Sequence, residues 1–571
     1  MIRELSSISD GVTYDFVIVG AGGAGMAAAL FAAIAEKSVL LVERTEYLGG
    51  TTALSAATTW IPNSRHATKV SQDDSPERAT LFLDRVVGNY GRREMRQAFL
   101  ESGPMAIDTL EDHSDVHFRP YATHPDYEQE AEGATLRGRA LEPLPFDGRK
   151  LGAAFDLLRP PIPEFTIFGG MMVDRTDIGH LLGLKKGLAS FRHAVGILGR
   201  YGLDRLTKKR GTRLVMGNAL IGRLLASLLK RDVDILVKTE VTGLLKDSSG
   251  ITGLTLVRDG QTRRINARLA VISAAGGFNR SPAKRAEMLH QPVSMLSPAA
   301  PGHTGAMQDL ALDLGAHYGT GSRDNAFWAP VSTRKRADGT TAVFPHFVMD
   351  RGKPGTVCVN QAGRRFVNEA TSYHNFVRTM YDTNGQSPCI PAYIIADAIA
   401  LQKYGLGMVR LGTKNLKPYL DDGYLIEGAN IPELAAKLGV GVAALEATVA
   451  DMNRYAETGV DLEFGRGSTG YHRANGDATA GGKNPNLGPI ATAPYYAVKL
   501  FPGDIGAATG LATDEWAQVL GAEERPIGRL YACGNEAQSI MGGTYPGPGI
   551  TIGPAITFAW RAVQHAIGAA K

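Results

Sequence analysis

Cysteine is scarce: there are three in 571 residues, Cys358, Cys389 and Cys533. None pairs as CxxC or falls at metal-ligand spacing with histidine, which excludes a disulfide scaffold and a zinc cluster. Reduced thiols in a reducing compartment, and no metal, are expected. Charge of one sign is lacking too. Lysine and arginine number 61 against 57 acids, a net of +4, so no nucleic-acid partner is expected. No apolar run reaches the roughly 18 residues that a membrane span requires. MIRELSSISDGVTYDF at the N-terminus carries acids where a signal peptide has its apolar core. Internal repeats and low-complexity tracts are absent. These absences predict a cytoplasmic globular protein, and its length predicts two or three lobes rather than one core.

Glycine, by contrast, is abundant at 68 residues, and its placement is informative. Residues 15–20, DFVIVG, predict a buried parallel strand; GAGGAG (20–25), the helix pattern MAAALFAAIAEK and the strand pattern SVLLVE follow at once. In this strand–turn–helix–strand unit Gly20 permits the tight turn, Gly22 lets backbone approach a pyrophosphate, and Gly25 lets helix pack on strand. Gly23 and Ala24 open a helix whose N-terminus attracts phosphate charge. Glu43 ends the second strand, where an acid takes a ribose hydroxyl.

Three further segments point to FAD rather than NAD. RTEYLGGTTALSAATTWIPN (44–63) carries Arg44, a glycine pair and small hydroxyl residues, so that Gly50, Thr51, Thr52 and Ser55 allow close approach of pyrophosphate and flavin ring. RLAVISAAGGFN (268–279) is a strand ending in the small residues Ala275 and Gly276. RLYACGNEAQSI (529–540) is a short strand followed by Asn535 and Glu536. Together they resemble the FAD-binding fold of the fumarate reductase/succinate dehydrogenase flavoprotein superfamily. The resemblance implies that Glu536 reaches the ribityl chain and that Val241, Gly549 and Ile552 complete the cofactor contacts. It implies an α/β fold, a Rossmann-like FAD-binding domain with an inserted α+β catalytic domain. The FAD-binding parts are expected at 1–294 and 491–571, and the substrate-capping domain at 295–490. FAD is expected to be non-covalent, because only Cys533 lies beside these segments, on a strand.

Residues 184–213 form a basic stretch with apolar residues at 184, 188, 191, 195 and 198, a helical stripe. Two expectations follow: a helix packed on its own protein with a solvated basic face, or peripheral contact with an anionic membrane.

Chemistry has to come from the inserted domain and the C-terminal loop, since many activities share this fold. GGTYPGPGITIGP (542–554) holds no charge, so a dicarboxylate finds no bidentate partner there, whereas a flat apolar ketone suits it. The run TYPGPG-x-TIGPA-x-TF resembles the C-terminal signature of the 3-ketosteroid Δ1-dehydrogenases. GRRFVNEATSYHNF (363–376) and FRPYATHPDYEQE…GRALEPLPFDGR resemble two further signatures of that family. The resemblance implies that Tyr545 and Gly549 polarise the substrate ketone, that Tyr373 removes the C2 proton and that Tyr127 hydrogen-bonds to that base. Tyr121 is the fallback for Tyr127. His124 stands where relatives often have a second tyrosine, and SAATTW where many have two glycines. His303 and His317, as solitary histidines, are left out of the catalytic set.

The implied reaction is 1,2-dehydrogenation of a 3-ketosteroid, with hydride passing from C1 to the flavin and electrons to an unidentified acceptor such as a quinone. Two other readings remain. One is a related flavin enzyme, a Δ4-(5α)-steroid dehydrogenase or an enoate or fumarate reductase. The other is a non-catalytic flavoprotein that docks to membranes.

Overall fold

The structure, a computed structural model, describes residues 1–71, 73–184, 187–293 and 295–569. Lys185 and Lys186 of the basic stretch lie outside the described residues.

The β-branched run Val12–Val19 forms the central strand of a nine-stranded sheet. Buried on both faces, it pairs in parallel with Val39–Val42 on one side (Val17 opposite Leu40) and with Gln261–Ser273 on the other (Val17 opposite Val271). Asp234–Leu236 and Ile2–Arg3 extend the parallel side. Beyond Gln261–Ser273, Gly250–Arg258 and Glu240–Asp247 continue as antiparallel strands. Pro526–Ala532 returns from the far end of the chain to pair with Gln261–Ser273 (Val271 opposite Leu530). The helix Gly23–Ile34 has ten buried residues and packs between this sheet and the C-terminal helix Ile552–Ala569. A helix apolar on every side belongs in such a sandwiched place.

A second, six-stranded antiparallel sheet carries the other lobe, in the order Thr341–Pro345, Ala326–Lys335, Tyr495–Ala507, Ala392–Ala396, Thr356–Val359, with Ile426–Gly428 also on Tyr495–Ala507. Helices Ile431–Leu438 and Val442–Thr458 cover one face through Leu434, Leu445 and Met452. The helix Tyr373–Asn384 covers the other through Phe376, Val377 and Met380. The 13-residue strand Tyr495–Ala507, past the boundary expected at 490/491, pairs within this sheet. The helix Ala306–Leu312, past the boundary expected at 294/295, buries Met307 and Ala311 against the first sheet.

Among the described residues no helix is long and apolar enough to cross a membrane, and no cluster of ligating side chains could hold a metal ion. All three cysteines are buried and free.

Candidate active site

The glycine turn is shaped as the dinucleotide motif requires. Gly20 adopts φ +100°, and a Cβ there would lie 2.4 Å from the Ala274 carbonyl oxygen. A Cβ at Gly25 would lie 1.8 Å from the Gly20 oxygen, so helix and strand touch only without side chains. A Cβ at Gly22, in contrast, meets nothing within 4 Å. That open space faces the N-terminus of Gly23–Ile34, where a pyrophosphate gains the helix dipole. Gly23 N–H donates to the Thr52 hydroxyl at 3.2 Å, and Gly50, at φ +49°, backs onto Gly22. Thr51 accepts from Ala300 N–H at 2.9 Å, and the Ser55 hydroxyl donates to the Thr52 carbonyl at 2.8 Å.

Glu43 is buried and anchored by Ala21 N–H at 3.0 Å and by the Thr45 hydroxyl at 2.7 Å. Arg44 spans to Glu240 at 2.9 Å and to Thr304, beside Val241. Ala24 faces Gly534, where a Cβ would come within 3.0 Å of its methyl. Glu536, fully buried, accepts from Gly277 N–H at 3.0 Å and the Ser273 hydroxyl at 3.2 Å, beside Ala275 and Gly276. Burial raises its carboxyl to about 7. The Asn535 amide fills the space beside Gly506, and Ile552 opens the C-terminal helix.

Two residues of this cradle were not expected from sequence. Arg159 is buried, donates to the Thr45 hydroxyl at 2.8 Å, and has no carboxylate partner and an unsatisfied Nε among the described residues. His303, set aside as a solitary histidine, lies over Gly276, where a Cβ would touch its ring at 2.6 Å. Its Nε2 is 3.4 Å from the Thr51 hydroxyl and its Nδ1 has no partner among the described residues. Burial, with Arg280 and Arg159 nearby, lowers it to about 4, so the ring is neutral. Unmatched buried donors around an open glycine turn fit an anionic dinucleotide such as FAD. A lone arginine in LLRPP carries no such signal in sequence. His317 pairs with Glu524 at 3.1 Å, half-exposed.

On the other side of the cradle three phenols converge. The Tyr127 hydroxyl donates to the Tyr373 hydroxyl at 3.3 Å. The Tyr545 ring stacks on Tyr127 at 5.6 Å and meets Tyr373 edge-on at 5.0 Å. All three are sequestered, and burial pushes Tyr127 and Tyr373 well above the ordinary phenol value and Tyr545 to about 12. Tyr545 is thus an O–H donor at any working pH. Burial thus opposes ionisation of both members of the Tyr127–Tyr373 pair.

The loop that carries Tyr545 is held from several sides. Pro546 carbonyl accepts from Tyr127 N–H at 2.7 Å, and Gly549 carbonyl accepts from Trp60 N–H at 3.2 Å. A Cβ at Gly547 would lie 2.8 Å from the Trp60 indole nitrogen, which itself donates to Asp126 at 2.8 Å. Gly549 sits at φ +93°, where a Cβ would strike the Thr58 carbonyl at 2.3 Å, and its N–H meets no acceptor among the described residues. Ala57, in the SAATTW departure, takes φ 50°, a left-handed conformation that costs a non-glycine residue about 1 kcal/mol.

Tyr121 bonds Thr58 at 3.3 Å and packs on His124 at 4.7 Å, so Tyr127 and not Tyr121 reaches Tyr373. Burial, and then Arg175, lowers His124 to about 3.

Tyr373 begins its helix behind the N-cap Ser372. Arg351, fully buried, donates to the carbonyls of Glu369 (2.8 Å) and Thr371 (3.3 Å) just before it. Arg365 clamps Glu369 and Asp461, each at 2.8 Å, and Arg466 reaches Glu369 at 3.2 Å. Burial alone would raise Glu369, but these arginines hold it below the usual carboxylate range. The buried arginines of this lobe are thus committed to the protein itself. A groove of about 600 Å³ behind Tyr545, lined by Glu128, Arg323, His374 and Arg378, does not include Tyr127 or Tyr373.

The family described as FAD binding domain matches residues 15–552. A 3-oxosteroid 1-dehydrogenase of Mycobacterium tuberculosis is 34% identical over 569 residues, covering 97% of this chain and 98% of that protein. A 4-oxocyclohex-2-ene-1-carboxylate 5-dehydrogenase of Sinomonas cyclohexanicum is also 34% identical, over 553 residues, 96% of this chain and 93% of that one. The crystal structure of 3-ketosteroid delta1-dehydrogenase from Sterolibacterium denitrificans, in complex with 1,4-androstadiene-3,17-dione, superimposes with a TM-score of 0.90 at 34% identity. It covers 98% of this chain and 100% of that one.

Proposed function

The chain belongs to the FAD binding domain family, and from that premise we propose that it dehydrogenates a cyclic ketone next to its carbonyl, as in 1,2-dehydrogenation of a 3-ketosteroid. The observation that carries this reading is the convergence of Tyr127, Tyr373 and Tyr545, the last on the same loop as Gly549, whose N–H meets no acceptor among the described residues. FAD, when bound, supplies the acceptor for the hydride that leaves the β-carbon.

The residues of the chain do the rest. The Tyr545 hydroxyl and Gly549 N–H hold the ketone oxygen and take up its charge as the α-proton leaves. Each such preorganised donor contributes about 3–4 kcal/mol to the transition state. Tyr373 takes the α-proton, and Tyr127 stabilises the phenolate that does so. The phenyl faces of Phe327 and Phe347, packed on Tyr545 and Tyr373, help keep water from the reacting carbons. The commitment of Arg351, Arg365 and Arg466 to protein acceptors argues against a dicarboxylate substrate in this cavity.

Turnover of androst-4-ene-3,17-dione with an artificial electron acceptor should yield the 1,4-diene, read by mass and ultraviolet absorbance. Recovery of unchanged steroid by an FAD-loaded, reducible protein would rule that substrate out. A second reading, a small oxocyclohexenecarboxylate as substrate, is favoured by the equal identity of the Sinomonas relative.

We further propose that the helical basic stretch rests on an anionic lipid surface. The helix Leu188–Asp204 buries only Ala194, Ile197 and Asp204. Leu188 and Phe191 are 73% and 52% exposed on one stripe, with Leu203 and Leu206 further along at 70% and 79%. Arg192, Arg205 and Lys209 beside them enter no ion pair among the described residues. Apolar anchors beside the cations Arg192 and Lys209 match the chemistry of an anionic membrane interface.

A further inference from the structure

The Tyr127 phenol and the loop that carries Tyr545 are joined by buried polar contacts that take no part in the proposed proton and hydride transfers. Trp60, 0% exposed, ends the short strand Thr59–Trp60, its indole stacked on Phe99 at 6.1 Å. Its backbone N–H donates to the Gly549 carbonyl at 3.2 Å, and its indole N–H donates to Asp126 at 2.8 Å. Asp126 immediately precedes Tyr127, whose own N–H donates to the Pro546 carbonyl at 2.7 Å. Gly547 lies between these two loop carbonyls in the chain and leaves room for the indole–carboxylate bond. A Cβ there would come within 2.8 Å of the Trp60 indole nitrogen and 3.1 Å of Asp126 Oδ1. A closed circuit thus runs from Tyr127 through Asp126 and Trp60 to Gly549, and back along the loop to Pro546.

The other oxygen of Asp126 is equally committed. It accepts from Thr135 N–H at 3.0 Å, from the Thr135 hydroxyl at 3.2 Å and from Arg139 at 2.8 Å. Arg139, 1% exposed, also holds Asp74 at 2.6 Å and the Gly133 carbonyl at 3.0 Å. Its guanidinium carbon lies 5.7 Å from the centre of the Trp60 ring. Turning the Asp126 carboxylate away would leave several buried donors unpaired. The circuit is therefore stiff, and its effect is on position.

We propose that Trp60 and Asp126 are positioning residues, whose hydrogen bond fixes the spacing between the Tyr127 hydroxyl and the ketone-holding loop. This rests on the cyclic-ketone reading. In that reaction Tyr127 serves the base, while Tyr545 and Gly549 serve the ketone oxygen. A shift between the two misaligns the α-proton with the oxygen that takes up its charge, and a displacement of about 1 Å costs about 10²-fold in rate.

The test is anaerobic flavin reduction, per bound FAD, at increasing ketone concentration. Trp60→Phe removes the indole donor and Asp126→Asn disturbs its acceptor. Each should lower the limiting rate about 10²-fold while half-saturation by ketone moves little. The double variant should fall no further than the worse single one, because both changes break one hydrogen bond. Thr135→Val removes one donor to Asp126 at nearly constant volume. It should lower the limiting rate by a smaller factor, and it keeps the test open if the other variants do not fold. Lost packing alone would lower FAD content and leave the rate per FAD at the parent's value. That outcome, or losses that multiply in the double variant, would overturn the proposal. Crystal structures of the FAD-loaded variants read the spacing without turnover: the Tyr127–Tyr545 stack, 5.6 Å in the parent, should be displaced. If no ketone reduces the parent's flavin but the stack is displaced, the functional reading falls and the spacing role stands. If the stack keeps the parent's geometry, the spacing role falls whatever the substrate.

Discussion

Tyr545 and Tyr373 are the same side chain asked to do opposite things, and their surroundings separate them. Tyr545 must stay protonated to donate, which its burial secures. In the proposed reaction Tyr373 must lose its proton, which burial opposes. Replacing Tyr545 with Phe removes one of two donors to the ketone oxygen and should lower kcat about 10²–10³-fold while FAD content is kept. Single-turnover flavin reduction checks this. The tyrosines proposed as catalytic stand out in the sequence because each sits in a run whose glycines, prolines and acids are local. Arg159 and His303 do not, because each takes its meaning from partners far away in the chain. For His303 those partners are Gly276 and Thr51.

At the scale of elements, the ends of the first sheet's strands carry the residues proposed to hold FAD, and the segment Gly542–Ala569 carries Tyr545, proposed to meet the substrate. Glu536 joins two of those ends through Ser273 and Gly277. Its folded-state value, raised by burial from 4.5 to about 7, means that the folded state binds this proton more tightly than the unfolded state. Its contribution to stability is therefore complete below about 4.5 and is lost as pH rises through about 7. The FAD-free protein should lose roughly 3 kcal/mol across that window, and Glu536→Gln should flatten the loss, as urea titrations at several pH values would register. A pH-independent parent would refute this reading of Glu536. The strand–turn–helix–strand unit was legible because its glycines are demanded by backbone contacts a few residues apart. The sheet that Tyr495–Ala507 joins was less legible, because its pairing depends on distant strands that its own residues do not encode.

The whole molecule places the glycine cradle in one lobe and Tyr373, the proposed base, in the other. Tyr373 comes from the second lobe, Tyr127 and Tyr545 from the first, so the base is assembled only when the lobes are docked. The apolar, basic stripe of Leu188–Asp204 is on the outer surface of the same molecule. Holoenzyme should co-sediment with vesicles containing phosphatidylglycerol and not with neutral ones, and Leu188→Asp with Phe191→Asp should abolish this without loss of FAD. Equal sedimentation of parent and double variant would remove the membrane proposal.

The central claim is that Tyr373, held by Tyr127, is the base that starts flavin reduction. The direct measurement is anaerobic stopped-flow of FAD-loaded parent and Tyr373→Phe with a reducing cyclic ketone, repeated across pH. The account predicts bleaching by the parent at a rate that rises with pH, because only the phenolate acts and its value lies above the ordinary phenol range. It predicts a fall of about 10²–10⁴-fold in the variant, with the oxidised flavin spectrum and ketone binding retained. A variant that bleaches at the parent's rate would contradict the account.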